Sequence, residues 1–317
     1  MDLSLFFAGT AGSVPTARRG MPAVLMRRGG DRLLFDCGEG TQRQLLRTVG
    51  LPDVEAVYLT HLHADHWLGL PGMLKSFDLR DRDAPLAVYG PPGTVELMRA
   101  MRLVYGRLRY PFGVVELEAG ESVRYDGYEV AAFNVRHRVH AFGYAIVEDA
   151  RPGRFDDKLA IELGVPFGPD FGRLQRGETV NGVRPEQVIG PERPGRKIVL
   201  SGDTAPCDMV RFAAHQADVL VHEATFTDEE RDRALETGHS TARQAAEIAR
   251  EADVRLLALT HVSTRYAGGE IRDEARAVFE RTVVPRDFDA IELPLPEKGP
   301  PKLERFEPPE RARVQVG

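Results

Sequence analysis

His61-Leu62-His63-Ala64-Asp65-His66 places three imidazoles and a carboxylate within six positions, directly after the apolar run Val54 to Leu59. Given the abundances of His and Asp, chance produces such a string in a chain of 317 residues on the order of a few times in ten thousand. A lone histidine is ordinarily a core or surface residue. Three beside an aspartate cannot all pack as hydrophobes, so the string reads as a metal-binding segment. Four donors this close in sequence cannot all surround one tetrahedral ion with a relaxed backbone, and two ions are the simpler solution. His61 and His63, alternate residues at a strand end, share one ion, while Asp65 and His66 on the following turn reach the other. Further ligands must come from other strand ends: His137 or His140 after Val130 to Val135, Asp203 after Ile198 to Leu200, and His261 after Leu256 to Leu259. A carboxylate bridges two ions where an imidazole cannot, which makes Asp203 the shared ligand.

Outward from this string the chain alternates strands and helices. Residues 2–8, Ala23 to Met26 and Leu33 to Phe35 read as strands, the last two joined by the turn Arg28-Gly29-Gly30-Asp31. A helical pattern follows Gly40 until Pro52 breaks it, a second follows Asp65, and Pro91-Pro92-Gly93 opens a third. Strand patterns recur at Leu86 to Tyr89, Tyr128 to Val135, Tyr144 to Val147, Lys197 to Leu200, Val219 to Val221 and Leu256 to Leu259. Tyr58-Leu59-Thr60-His61 is echoed by Ala258-Leu259-Thr260-His261, so two strand ends deliver histidines in the same way and hint at two related halves. Residues 151–196 stand apart, with prolines, glycines and arginines but weak apolar periodicity, and read as an insertion projecting from the core. The Pro-rich, charged stretch 294–317 reads as a partly flexible tail.

Composition narrows the function classes. A formal charge of −6 excludes the strongly basic field of nonspecific nucleic-acid coaters, so an RNA partner must be held by local patches or by metal. Cys37 and Cys207 follow no metal-binding spacing and fit a reducing compartment. No stretch approaches the roughly 20 apolar residues of a membrane span. A cytoplasmic protein without a membrane partner is expected.

The motifs resemble the metallo-β-lactamase superfamily, whose signature is HxHxDH with a later His, a bridging Asp and a final His. Within it the chain is similar, over nearly its whole length, to the ribonuclease Z family of tRNA 3′-processing endonucleases. Phe35-Asp36-Cys37-Gly38-Glu39-Gly40-Thr41-Gln42 resembles the family's first motif, and Gly202-Asp203-Thr204 its bridging aspartate. His222-Glu223-Ala224-Thr225 and His239-Ser240-Thr241 match two strings that set the family apart from lactamases and glyoxalases. The resemblance implies an α/β fold, an αββα four-layer sandwich of two mixed sheets in one domain over 1–317. It also implies two Zn2+ per chain, held by His61, His63, Asp65, His66, His137, Asp203 and His261. His137 is preferred to His140 because the family's third ligand lies seven positions before the Tyr of a Gly-Tyr pair, here Gly143-Tyr144. Asp36 is expected to anchor a ligand histidine from behind.

The implied activity is zinc-dependent release of the 3′ trailer from pre-tRNA, leaving a 3′-hydroxyl on the tRNA and a 5′-phosphate on the trailer. Asp65 is expected to take the proton of the attacking water. Glu223 and His239 are expected to orient and protonate the leaving 3′-oxygen. Alternatively His239 is only a helix-start residue and Glu223 a buried partner of His222. In this family an arm between the third ligand and the bridging aspartate grips tRNA, which places an exosite arm at 151–183. Its Glu162-Leu163-Gly164-Val165-Pro166-Phe167-Gly168-Pro169 resembles the Gly-Pro hallmark, and Arg151, Arg154, Lys158, Arg173 and Arg176 are expected to supply positive charge. The expected partners are pre-tRNA and a second copy in a homodimer, not DNA. One departure concerns the loop that many bacterial members write Pro-x-Lys-x-Arg-Asn. Here it reads Pro15-Thr16-Ala17-Arg18-Arg19-Gly20, without the Lys and the Asn, and this bears on how CCA-containing precursors are handled. The rival readings are a small-molecule metallo-hydrolase on the same fold, such as a cyclic-nucleotide phosphodiesterase or lactonase, which needs no arm, and a metal-bearing RNA-binding protein without turnover.

Overall fold

Strand β1 (Leu3–Gly9) is buried along its whole length because both of its faces are covered. Leu5 and Phe7 look between two sheets, and Phe6 and Ala8 pack toward helices. The computed structural model describes residues 1–307. The chain continues through β2 (Ala23–Arg28), β3 (Asp31–Phe35), β4 (Ala56–Tyr58), β5 (Leu86–Gly90) and β6 (Phe112–Glu116). It then forms β7 (Ser122–Tyr125), β8 (Tyr128–Asn134), β9 (Phe142–Glu148), β10 (Lys197–Leu200), β11 (Val219–Glu223) and β12 (Leu257–Thr260). The short strands β13 (Thr282–Val283), β14 (Ala290–Glu292) and β15 (Lys302–Glu304) follow.

One sheet has the order β15-β14-β1-β2-β3-β4-β5-β6 and the other β13-β12-β11-β10-β9-β8-β7. Both are mixed. Strands β3 to β6 run parallel in the first, β10 to β13 run parallel in the second, and the remaining pairs are antiparallel, including β1 with β14 and β9 with β10 across long separations in the chain. The inner faces share one core, in which Phe35, Tyr58 and Tyr144 stack or cross edge-on with ring centroids 5.2–5.8 Å apart. Helices Leu70–Leu79 and Thr94–Tyr105 cover the outside of the first sheet, and Ala242–Glu251 and Gly269–Arg276 the outside of the second. This is the four-layer α/β sandwich expected from the motifs.

The short strands β6, β7 and β13 to β15, four of them at sheet edges, add to the strands expected from the sequence. At two to five residues each they offer too few positions for an alternating pattern to stand out. The tail expected to be flexible from Pro294 is paired as far as Glu304, because β15 zips onto β14. Residues 308–317 lie outside the described residues.

The insertion leaves the second sheet after β9 and returns before β10. Its two limbs pair at Arg151–Arg193 and Phe155–Ile189, so it closes well beyond residue 183, the boundary set from sequence. It carries a small core of its own, built from Ala160, Val165, Phe171, Leu174, Val180, Val183 and Val188. The expected cationic surface is largely cancelled. Arg151 pairs with Glu297 at 2.8 Å, Arg173 with Glu178 and Asp170 at 2.8 and 3.1 Å, and Arg176 with Glu178 at 3.7 Å. Among the described residues, only Arg154 and Lys158 of the five form no ion pair.

A buried charge network staples the sheets together. Glu148 at the end of β9 accepts from Arg28 Nε at 2.8 Å and from Arg196 Nε and Nη2 at 2.7 Å, and Arg196 reaches on to the carbonyl of Leu293. Burial alone pushes the Glu148 carboxyl up, but the two guanidiniums outweigh it and hold it at about 2. Glu148→Gln leaves both cations buried against a neutral amide and is expected to cost about 3–5 kcal/mol, read as a lowered urea midpoint at pH 7. Because the folded value is depressed, the wild-type advantage is complete above the ordinary carboxyl value of 4.5 and is lost as pH falls toward about 2. The gap between the two proteins should therefore narrow at pH 3.

Candidate active site

Six strands of the two sheets end on one rim, opposite the Glu148 staple, and each hands over a polar residue there. Asp36 follows β3, His61 to His66 follow β4, His137 follows β8, Asp203 follows β10, Glu223 closes β11 and His261 follows β12. The two echoed stretches sit in the parallel runs of opposite sheets and bring His61 and His261 to the same rim. The backbone bends sharply to do this: Asp36, His261 and Ser13 adopt left-handed φ of 58°, 55° and 61°. Gly12 lies so close to His261 that a Cβ there meets its Nδ1 at 2.5 Å and its carbonyl at 2.7 Å, so only glycine fits.

At the centre is Asp203, 3% exposed. Its Oδ2 lies 3.8 Å from His61 Nε2, 3.4 Å from His66 Nε2 and 3.2 Å from His261 Nε2. Burial alone pushes this carboxyl up, but the imidazoles of His261, His66 and His61 outweigh it and hold it well below the carboxylate range. On one side the ligand atoms of His61, His63 and His137 lie within 4.8 Å of one another. On the other, those of Asp65, His66 and His261 do the same, with Asp65 Oδ2 3.6 Å from both His66 Nε2 and His261 Nε2. The seven residues expected from the sequence are thus brought together, six of them in two groups flanking Asp203. His140 is not among them; it is exposed and its ring stacks edge-on against Phe142 at 5.0 Å.

Most of these rings are held from behind. His66 Nδ1 donates to Asp36 Oδ2 at 2.8 Å, and Asp36 is itself fixed by the backbone N–H of Thr60. His137 Nδ1 donates to the carbonyl of Gly238 at 2.8 Å, His261 Nδ1 meets Thr225 Oγ1 at 2.8 Å, and His61 Nδ1 meets Thr60 Oγ1 at 3.0 Å. These bonds leave the Nε2 atoms facing inward. His66 Nε2 and His261 Nε2 are buried without a hydrogen-bond partner, and His61 Nε2 and His63 Nδ1 face each other at 2.9 Å. Buried acceptors aimed at one another and at a carboxylate are unfavourable alone and favourable around cations, so this nitrogen and oxygen set fits zinc.

Glu223 and His239 form a unit beside the cluster. The Glu223 carboxylate accepts from His239 Nδ1 at 2.7 Å, Thr225 Oγ1 at 2.7 Å and the backbone N–H groups of Thr204 and Thr225 at 2.9 and 3.1 Å. Its side chain therefore serves His239 rather than His222, which instead donates to a backbone carbonyl at 2.7 Å. Burial pulls the His239 imidazole down, but the Glu223 carboxylate outweighs it and raises it to about 9. Thr241, two residues on, caps helix Ala242–Glu251 with a reciprocal Gln244 contact, so the capping role falls on Thr241 and leaves His239 free.

Thr225, Thr60 and the Ser13 backbone were passed over in the sequence reading. Thr225 joins His261 to Glu223, and the Ser13 N–H donates to Asp65 Oδ2 at 3.1 Å. Thr60 and Thr225 stand inside the motifs, but a threonine signals no role until its hydroxyl partner is known. Ser13 acts through its backbone, which sequence does not display.

Comparison with known proteins agrees with this geometry. A family model described as a beta-lactamase superfamily domain matches residues 31–154 and 175–262, and the stretch between lies within the inserted arm. Ribonuclease Z of Haloferax volcanii is 48% identical, covering 93% of this chain and 96% of its own. Ribonuclease Z of Archaeoglobus fulgidus is 42% identical over 94% of this chain and 100% of its own. The crystal structure of human tRNase Z, short form, superimposes with a TM-score of 0.68 at 28% identity, covering 92% of this chain and 99% of that one. Identity at this level across nearly the full length, on a metallo-β-lactamase fold with the cluster intact, means that the chain belongs to the ribonuclease Z family.

Proposed function

We propose that the chain releases the 3′ trailer from pre-tRNA with two zinc ions held on either side of Asp203, leaving a 3′-hydroxyl on the tRNA and a 5′-phosphate on the trailer. Family membership makes it a ribonuclease Z type endoribonuclease acting in pre-tRNA 3′ processing. The observation that carries the zinc reading is the pair of donor groups, His61, His63 and His137 against Asp65, His66 and His261, sharing one buried carboxylate. Bound there, zinc supplies charge neutralisation for a phosphodiester and lowers the pKa of water toward roughly 7. The remaining steps fall to the chain's own residues. Asp65, steadied by the Ser13 N–H, accepts the proton of the attacking water through its oxygens. His239, protonated because Glu223 is buried beside it, donates to the leaving 3′-oxygen, while Glu223 and Thr225 keep the ring oriented.

The arm holds the distant body of the tRNA and thereby positions the scissile bond. With most of its arginines paired, the supports for this role are Arg154, Lys158 and the exposed apolar side chains of Ile161, Leu163 and Phe167 near its tip. We infer a homodimer in which the arm of one subunit presents RNA to the site of the other; Leu103 and Val104, exposed on helix Thr94–Tyr105, support a further protein contact. The inferred compartment is the cytoplasm, supported by two unpaired cysteines, and among the described residues no helix is long and apolar enough to cross a membrane.

Labelled pre-tRNA incubated with and without chelator tests the activity, and mapping the product ends tests the chemistry. Cleavage that persists after chelation overturns the metal reading. Elemental analysis after mild purification should give near two metal equivalents per chain, and saturation at one equivalent with full activity overturns the two-ion centre. His137→Ala should abolish cleavage whereas His140→Ala should retain it, and Asp65→Ala should lose at least about a hundredfold in kcat because proton transfer is removed.

Replacing residues 155–189 with a short Gly/Ser linker removes the arm where its two limbs already pair, so the metal-bearing rim should remain folded. Hydrolysis of bis(p-nitrophenyl) phosphate, which has no distant part to hold, should survive this deletion while pre-tRNA cleavage falls. Equal pre-tRNA cleavage by the armless protein refutes the arm's role.

A further inference from the structure

Beside the metal-binding rim lies a cavity of about 230 Å³ between the loop at Gly12 to Val14, the loop at Ser263 to Arg265 and helix Arg231–Thr237. His239 lines it, and so does Ser13, whose N–H holds Asp65. The cleft therefore adjoins the reacting centre on the side of the residue assigned to protonate the leaving group. Its charge is one-sided. Three guanidiniums, Arg138, Arg233 and Arg265, line it and no carboxylate does. Glu230, which stands outside the lining, engages Arg265 through both oxygens at 2.6 and 2.7 Å and reaches Arg233 only at 3.8 Å. Arg138 has no ion pair among the described residues. One carboxylate against three guanidiniums leaves an excess of positive charge in a chain whose formal charge is −6.

We propose that this cleft receives the last nucleotide of the tRNA body and that Arg138 and Arg233 bind the phosphate on its 5′ side. The assignment rests on the reading of His239 as the group that protonates the leaving 3′-oxygen. That oxygen belongs to the last tRNA nucleotide, so the nucleotide carrying it lies against His239, inside the cleft that His239 lines. The scissile phosphate is engaged at the metal rim. The next anion along this nucleotide is its own 5′-phosphate, and Arg138 and Arg233 stand in the lining of the same cleft to meet it. In an in-line displacement the attacking water stands opposite this 3′-oxygen, and the trailer stays bonded to the phosphorus through its own 5′-oxygen and keeps the phosphate, outside the cleft. Arginine suits the task because its fork of N–H donors matches two phosphate oxygens, and Glu230 holds Arg265 in place as the third wall.

The test is a mutant cycle between protein and RNA. One pre-tRNA carries a neutral methylphosphonate in place of the phosphate immediately 5′ of the last tRNA nucleotide, and another carries it one nucleotide into the trailer. For the wild-type enzyme the upstream replacement should lower kcat/KM by about 10- to 100-fold, as expected for losing charge-assisted hydrogen bonds. Arg138→Gln combined with Arg233→Gln, two exposed positions whose replacement leaves the core untouched, should show a similar loss on unmodified RNA. It should show little further loss on the upstream methylphosphonate. Losses that multiply, or a coupling to the trailer-side replacement instead, overturn the assignment. A wild-type protein that fails to cleave unmodified pre-tRNA overturns the underlying functional reading, so the two failures are distinguishable.

Discussion

A carboxylate that is almost wholly buried at the meeting point of two β-sheets must be compensated, and Asp203 sets that requirement for the rest of the molecule. Its surroundings are built to meet it. Strands of both sheets end around it, and imidazole nitrogens of His61, His66 and His261 lie 3.8, 3.4 and 3.2 Å from its Oδ2. The left-handed backbone at Asp36 and His261, and the glycine pressed against His261, are local departures that serve this convergence. The same arrangement divides the neighbouring donors into two groups, and it is this division that makes a bridging role for Asp203 chemically reasonable.

The second tier of contacts converts a cluster of ligands into an oriented one. Asp36, Thr60, Thr225 and the carbonyl of Gly238 each occupy one nitrogen of a ring and leave the other directed inward. Thr225 has a further consequence, because its hydroxyl lies between His261 and Glu223 and so links His261 to the pair proposed to serve the leaving group. The opposite rim of the sandwich carries the Glu148 network, which ties both sheets and the chain near Leu293 together. Chemistry and fold reinforcement thus occupy opposite ends of the same strands.

The arm obeys a different logic. Its small core and paired limbs make it a separately packed appendage, so its loss need not disturb the rim. Its arginines largely satisfy acidic neighbours, and exposed pairs of this kind leave little net field for RNA. Positive charge in excess appears instead in the cleft beside His239. Under the proposed function, recognition at a distance and recognition at the scissile bond rest on different chemistry, shape and apolar contact for the first and guanidinium for the second.

The residues of the site were legible in the sequence because metal ligation demands particular side chains at particular strand ends: His61-Leu62-His63-Ala64-Asp65-His66, Asp203 and His261 follow apolar runs whose length and composition mark them as strands. The interior strands were legible because burial forces apolar composition, whereas the four-layer architecture came from the resemblance of the motifs to a known family. Tertiary structure alone decided what depends on distance in space. That includes the partner of Glu223, which is His239 sixteen positions away rather than its neighbour His222, and the role of Thr225. It includes the short strands β6, β7 and β13 to β15, whose two to five residues are too few for a periodic signal, and the pairing of the arm's arginines. Sequence reports which groups are available. Hydrogen bonds and ion pairs are set by separations of a few ångströms, and those arise only when strands far apart in the chain are brought to one rim.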